Sequence, residues 1–316
     1  MSLVLDRQLA WFFTGVLTVL VTATVVGWLL ARRPGDESWP ATVANLNARI
    51  ASWWVMVAVF AVAILGGRRA ALVLFALISF LALREFVTLT PTRRGDHRTL
   101  FYSFFVAIPL QYYLIAIDWY GLFSTLIPVY GFLFVPTRSV LSGDPDRFLS
   151  RIAEIQWGLM VCVFCVSHAP ALLTLDIPGY EGQNAKLLLY FLLVVQISDV
   201  LQYVWGKLLG RHRVAPSVSP SKTVEGFGGG VASATLLGAA LWPMTPFSPW
   251  QAAGMSLVSV LMGFAGGLTM SAIKRDRGVK DFGDIIAGHG GILDRIDSLC
   301  FAAPIFFHLT RYFFAR

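Results

Sequence analysis

Between Ser271 and Ser298 the chain reads SAIKRDRGVKDFGDIIAGHGGILDRIDS, a run that carries Asp276, Asp281, Asp284, Asp294 and Asp297 together with Lys274, Arg275, Arg277, Lys280 and Arg295. No other stretch is so dense in both signs. Asp294 and Asp297 stand three apart, so on a helix they share a face while Arg295 and Ile296 turn away; two carboxylates so held suit a hard divalent cation. Asp281 and Asp284 repeat the spacing. Gly288, Gly290 and Gly291 flank His289, and glycines ahead of a helix start let backbone amides close on an anionic ligand such as a phosphate.

A second segment supplies what the first lacks. Arg213 to Gly226 contains Ser219-Pro220-Ser221-Lys222-Thr223-Val224-Glu225-Gly226. Lys222 is suited to neutralise phosphate charge, Ser219, Ser221 and Thr223 to donate hydrogen bonds or ligate a cation, and Glu225 to hold a cation or its bound water. The GxxxxGK[ST] spacing is missing, which excludes a P-loop. Both segments run straight into apolar stretches. The plain alternative, a charged loop with a glycine hinge, is weakened by that position: Asp294 and Asp297 fall at or inside a membrane boundary, where an ionisable group is costly unless it pairs or binds a cation.

The elements that must hold these residues follow from composition. Of 316 residues, 56% are hydrophobic and 14% charged, with a mean hydropathy of +0.68, far too apolar for a soluble domain of this length. Backbone groups in hydrocarbon cannot turn to water, and the long unbroken apolar runs select helices over a barrel. We therefore expect an all-α polytopic integral membrane protein with about nine to ten transmembrane helices. The candidate spans are 9–30, 51–66, 70–88, 100–117, 119–136, 155–175, 187–206, 228–247, 251–270 and 299–314. Only Gly66 to Arg69 separate the second from the third and only Asp118 the fourth from the fifth, which predicts tight hairpins or partly re-entrant pairs.

Arginine and lysine gather on alternate loops, 31–50, 89–99, 137–153, 207–227 and 271–298, which places all five on the cytoplasmic side. Arg68 and Arg69 break that rule. Both charged segments then face the cytoplasm, and the setting expected is a bacterial inner membrane. The net charge of +7 is spread over short loops with no continuous stripe, which argues against a nucleic-acid partner. Cys162, Cys165 and Cys300 fall in or beside apolar runs and read as ordinary buried thiols. The run Leu9 to Leu30 is long enough to span and lacks a small-residue cleavage site, so it reads as a first membrane helix rather than a signal peptide. Chemistry is concentrated after Gln196, which divides the chain into an N-terminal helical scaffold, 1–186, and a C-terminal catalytic region, 187–316.

Together the two segments resemble the phosphatidate cytidylyltransferase family, the CDP-diacylglycerol synthases. The resemblance rests on Ser271, Lys274, Arg275, Lys280, Asp281, His289, Gly290, Gly291, Asp294, Arg295 and Asp297, and upstream on Ser219, Pro220, Lys222, Thr223, Glu225 and Gly226. Asp199, Tyr203 and Gly206 look similar to a further upstream element with looser spacing, and Ala287 stands where the family more often has proline. The likeness covers roughly residues 190 to 300. It implies transfer of the cytidylyl group of CTP to phosphatidate, giving CDP-diacylglycerol and pyrophosphate for phospholipid biosynthesis. It further implies a magnesium cofactor on Asp294 and Asp297 with help from Asp281, and room for a second cation near Ser219 and Glu225. Lys222, Lys280 and Arg295 would neutralise substrate phosphates, Lys274, Arg275, Gly290 and Gly291 would contact substrate, and His289 would position a phosphate oxygen or donate a proton. The first half would shape lipid entry or a homodimer contact. Two other readings stay open: a diverged relative that acts on another lipid phosphate or only binds, and a transporter, which would carry charge inside several spans.

Overall fold

The structure is a computed structural model that describes residues 7–33, 39–286 and 290–316. It is all-α, with eight helices long and apolar enough to cross a membrane. These are α1 (Arg7–Ala31), α2 (Trp39–Leu65), α3 (Gly67–Thr88), α4 (Arg94–Ala116), α5 (Tyr120–Val140), α6 (Phe148–Thr174), α7 (Asn184–Leu209) and α9 (Pro249–Asp276). Two more helices, α8 (Val224–Ala240) and α10 (Leu293–Phe314), overlap the remaining candidate spans. Between α7 and α8 a short antiparallel hairpin pairs β1 (Arg213–Ala215) with β2 (Ser219–Thr223), setting Arg213 opposite Thr223 and Ala215 opposite Ser219. Helices α4, α5 and α6 each contain one π-turn, at Ser103–Ala107, Leu126–Gly131 and Met160–Cys165.

The core lies where α6, α7 and α10 meet: Leu187, Leu188, Tyr190, Phe191, Phe306 and Phe307 are fully buried. By contrast α1 leaves Trp11, Leu17, Val19, Val21 and Trp28 exposed, and α2 leaves Val55, Val59 and Val62 exposed, a broad apolar face of the kind that lipid covers. No hydrophobic force draws helices together inside lipid, so close packing must do it, and small residues make it possible. On α8, a Cβ added at Gly226 would lie 2.9 Å from Gly206 Cα, and one at Gly230 2.8 Å from Gln202 Cα; these glycines let α8 lie backbone to backbone on α7. On α9, a Cβ at Gly266 would lie 2.7 Å from the Asp297 carbonyl oxygen, so α10 approaches equally closely.

Side-chain contacts sort the loops into two ends. At one, Arg68 forms an ion pair with Asp118 at 2.6 Å and donates to the carbonyls of Ile115 and Ala116, which joins the α2–α3 turn to the α4–α5 turn. Gly67 at φ 81° and Asp118 at φ 59° make both turns tight. The Arg68 that offends the loop-charge pattern is therefore neutralised by the aspartate of the neighbouring turn. At the same end Arg316 N donates to Asp176 O, and Tyr180 Oη donates to Met244 O. The opposite end gathers the C-terminus of α3, the start of α6, the β-hairpin, residues 277–286 after α9 and residues 290–292 before α10. Arg151, at the start of α6, lies 2.9 Å from Asp96 at the start of α4, both side chains almost fully buried. The connections into α4 and α6 are thus joined by a buried ion pair.

Candidate active site

The helix α10 begins where the glycine loop ends, and its first two turns carry Asp294 and Asp297. The two carboxylates have different surroundings. Asp294 is buried and both of its oxygens are engaged: Oδ1 accepts from Lys274 Nζ at 2.7 Å, and Oδ2 accepts from Phe282 N at 2.8 Å and Gly291 N at 3.0 Å. It ties the end of α9, the loop and the start of α10 into one unit. An acidic side chain in the first turn also suits the positive end of the helix dipole. Gly290 makes this fold-back possible, because its φ is +82° and a Cβ there would lie 2.9 Å from Asp294 Oδ2.

Asp297 faces α7. Its Oδ1 accepts from Ser298 N at 2.7 Å, and Ser298 Oγ donates to Asp199 Oδ2 at 2.7 Å while standing 3.4 Å from Asp297 Oδ1. Ser298 thus bridges two carboxylates from different helices. Asp199 Oδ1 and Asp297 Oδ2 carry no hydrogen bond among the described residues. Lys222, at the end of β2, reaches into the same space. A Cβ at Gly267 would lie 2.9 Å from Lys222 Nζ, 3.5 Å from Ser298 Oγ and 4.0 Å from Asp297 Oδ2, and the ammonium stands 4.8 Å from the Phe264 ring centre. No carboxylate lies within salt-bridge distance of Lys222 among the described residues, and its ammonium interacts at longer range with Asp199 and Asp297.

The other expected residues distribute as follows. Asp281 is exposed but lies against the loop, its Cγ 3.3 Å from where a Gly290 Cβ would stand, beside Asp294. Lys280 is exposed. Arg275 donates to Val218 O at 3.3 Å and Val279 O at 3.0 Å, tying the β-hairpin to the loop after α9. Arg295 Nε is buried and has no hydrogen-bond partner among the described residues, and its carbonyl accepts from Gln196 of α7. Ser219 is buried and Ser221 exposed, both on β2. Thr223 caps α8, its Oγ1 accepting from Gly226 N at 3.1 Å. Glu225 turns back to its own connection: it accepts from Arg211 N, His212 N and the His212 ring at 2.9, 3.1 and 2.5 Å. His289 lies outside the described residues.

Glu85 and Glu154 of the first half contact the segment around the start of α10 and the end of α9. Glu85, near the end of α3 and 4% exposed, accepts from Ile292 N and Leu293 N at 2.9 and 2.8 Å. Glu154 of α6 pairs with Arg277 at 2.9 Å. The only hint of Glu85 in the sequence is a charged residue inside an otherwise apolar run.

The donor set can be weighed against a divalent cation on this geometry. No cluster of three or more His, Cys, Asp or Glu stands close enough to hold a metal among the described residues. Magnesium does not need one; it commonly takes one or two carboxylates and completes its shell with substrate phosphates and water. Asp199 and Asp297, each with a free oxygen and locked by Ser298, fit that demand better than Asp294, whose oxygens are already occupied.

A family model described as the cytidylyltransferase family matches residues 47–313. The chain is similar to the "Uncharacterized protein YnbB" of Escherichia coli (strain K12), 42% identical over 313 residues, which is 98% of this chain and 99% of that one. It is also similar to the phosphatidate cytidylyltransferase of Staphylococcus aureus (strain COL), 41% identical over 130 residues, 40% of this chain and 50% of that enzyme. The corresponding Staphylococcus epidermidis enzyme is 37% identical over 158 residues, 49% of this chain and 61% of its own length. The chain therefore spans about half to three-fifths of these staphylococcal enzymes.

Proposed function

The chain belongs to the cytidylyltransferase family, and from that membership we propose that it transfers the cytidylyl group of CTP to phosphatidate at the end of the bundle where Asp199, Asp297 and Lys222 meet. The lipid phosphate is already a nucleophile and needs no strong base. One of its oxygens bonds to the α-phosphorus of CTP as the bond to the β-phosphate oxygen breaks, giving CDP-diacylglycerol and pyrophosphate. The protein has to screen two anions from each other, hold the attack in line and stabilise the leaving charge.

The observation that carries this reading is the bridge Asp199–Ser298–Asp297 beside the Lys222 ammonium, which makes no salt bridge among the described residues. Asp199 and Asp297 would hold magnesium, which supplies Lewis-acid charge to the phosphates when bound. Lys222 offers its ammonium to a substrate phosphate, and Lys280 and Arg295, at the same end, add positive charge around it. The Lys274–Asp294 pair keeps the loop and the helix start in register with the site. His289, in the glycine loop, is proposed to position a phosphate oxygen. The site would face the cytoplasm, where CTP is dissolved and the inner leaflet presents a lipid phosphate at headgroup depth.

The test is purified protein in detergent with phosphatidate, labelled CTP and magnesium. The parent is expected to form labelled CDP-lipid, with turnover falling by about a hundredfold or more in Asp297→Asn and Asp199→Asn. A parent that makes no CDP-lipid, or variants that both turn over normally, would overturn the assignment.

A further inference from the structure

The Glu85 side chain is buried, and its hydrogen-bond partners lie more than 200 residues away in sequence. A carboxylate so placed is expensive unless its hydrogen bonds are made. Among the described residues they are made by the site: Oε1 accepts from Ile292 N and Oε2 from Leu293 N, the amides that open α10. Those are among the backbone donors that a helix start leaves without internal partners. The side chain is also shaped to its surroundings. A Cβ at Gly283 would lie 2.8 Å from Glu85 Oε1, and one at Gly291 would lie 2.7 Å from Glu85 Cδ, so the loop wraps the carboxylate on both sides. The neighbouring Gly291 N belongs to Asp294, which is held in turn by Lys274. A chain of contacts thus runs from α3 through Glu85 to the N-terminus of α10, and one turn later to Asp297.

We propose that Glu85 is a positioning residue for the cytidylyl-transfer site: it docks the first half of the molecule on the start of α10 and sets where Gly291, Asp294 and Asp297 stand relative to Lys222. The inference rests on the proposed activity for its kinetic consequence. Its structural consequence stands without that activity. Glu85 touches no reacting atom; it acts through α10. Glutamine at this position keeps one acceptor oxygen and presents a donor to the second amide, so one bond survives and one is replaced by a repulsive contact. Alanine removes both and empties the space between Gly283 and Gly291.

Two measurements test it. In the CTP and phosphatidate assay, Glu85→Gln and Glu85→Ala are expected to lower kcat by roughly tenfold or more, with KM for CTP shifted much less, because alignment is lost while the substrate cations remain. Glu85→Asp, which keeps both oxygens on a shorter arm, is expected to recover part of that loss. Hydrogen–deuterium exchange of the peptide that includes Ile292 and Leu293 is read on the same samples without substrate. Its amides are expected to exchange about tenfold faster in Glu85→Gln than in the parent, while peptides from the core of α7 stay protected. Unchanged exchange at 292–293 overturns the docking role, whether or not the parent is active. Faster exchange with parental kcat overturns the positioning role. An inactive parent with faster exchange refutes the proposed function and leaves the docking contact supported.

Discussion

Replacing Asp297 with asparagine removes one charge from a pair of carboxylates, whereas the same replacement at Asp294, three residues earlier, breaks a buried ion pair. The geometry sets the sign of each effect. Asp199 Oδ2 and Asp297 Oδ1 stand 2.7 and 3.4 Å from the same Ser298 hydroxyl. Their separation is thus at most about 6 Å, a repulsion of roughly 3 kcal/mol at an effective dielectric of about 20. Lys274, Lys222 and Arg295 offset part of it, and asparagine can keep the bond from Ser298 N. Asp297→Asn should therefore leave the ligand-free protein between unchanged and about 2 kcal/mol more stable. Asp294→Asn leaves Lys274 buried without its carboxylate and sets an amide donor against groups that need an acceptor, a loss of about 3–5 kcal/mol. At roughly 2–4 °C per kcal/mol, the thermal midpoint should fall by about 6–20 °C. The assay is tryptophan-fluorescence melting in detergent, without nucleotide or divalent cation, and the chain's 10 tryptophans give ample signal. A midpoint for Asp297→Asn as low as that for Asp294→Asn, or an unshifted Asp294→Asn, would refute this division of labour.

The Arg151–Asp96 pair is equally buried, and Arg151→Met is expected to cost about 3–5 kcal/mol by stranding Asp96; most of that should return when Asp96→Leu is added. The same melting assay reads both, and an undiminished deficit in the double variant would refute the stranding argument. Orientation can be read by cysteine labelling, because Cys162 and Cys300 are buried and Cys165 half-buried. An impermeant maleimide applied to right-side-out vesicles should modify Trp250→Cys, on the exposed first turn of α9, and spare Ser221→Cys until the vesicles are opened; the reverse pattern would invert the assigned sidedness.

The helices were readable in the sequence because lipid imposes one demand, long apolar runs, that composition displays directly. Each expected span overlaps a helix, and the two tight turns fall at Gly66–Gly67 and Asp118 as expected. The site was readable in part. Spacing identified Asp294 and Asp297 as sharing the start of one helix, since that depends on residues three apart. It could not tell that Asp294 would be occupied by Lys274 and two backbone amides while Asp297 faced Asp199, because those partners lie on other elements and only packing chooses them. Glu225 likewise gave no sign of turning to the loop at Arg211 and His212. Glu85 was hidden most thoroughly: its partners lie more than 200 residues away, and within its own helix nothing separates it from a charge resting near a membrane boundary.

That long-range contact has a practical meaning for attempts to shorten the chain. A fragment beginning near residue 187 would keep every position of the two signature segments, yet the opening amides of its last helix would face a vacant acceptor and its Arg277 would have lost Glu154. Such a fragment should recover order only when the severed upstream portion is co-expressed and reassembles with it, so the smallest autonomous unit is larger than the stretch that carries the recognisable motifs.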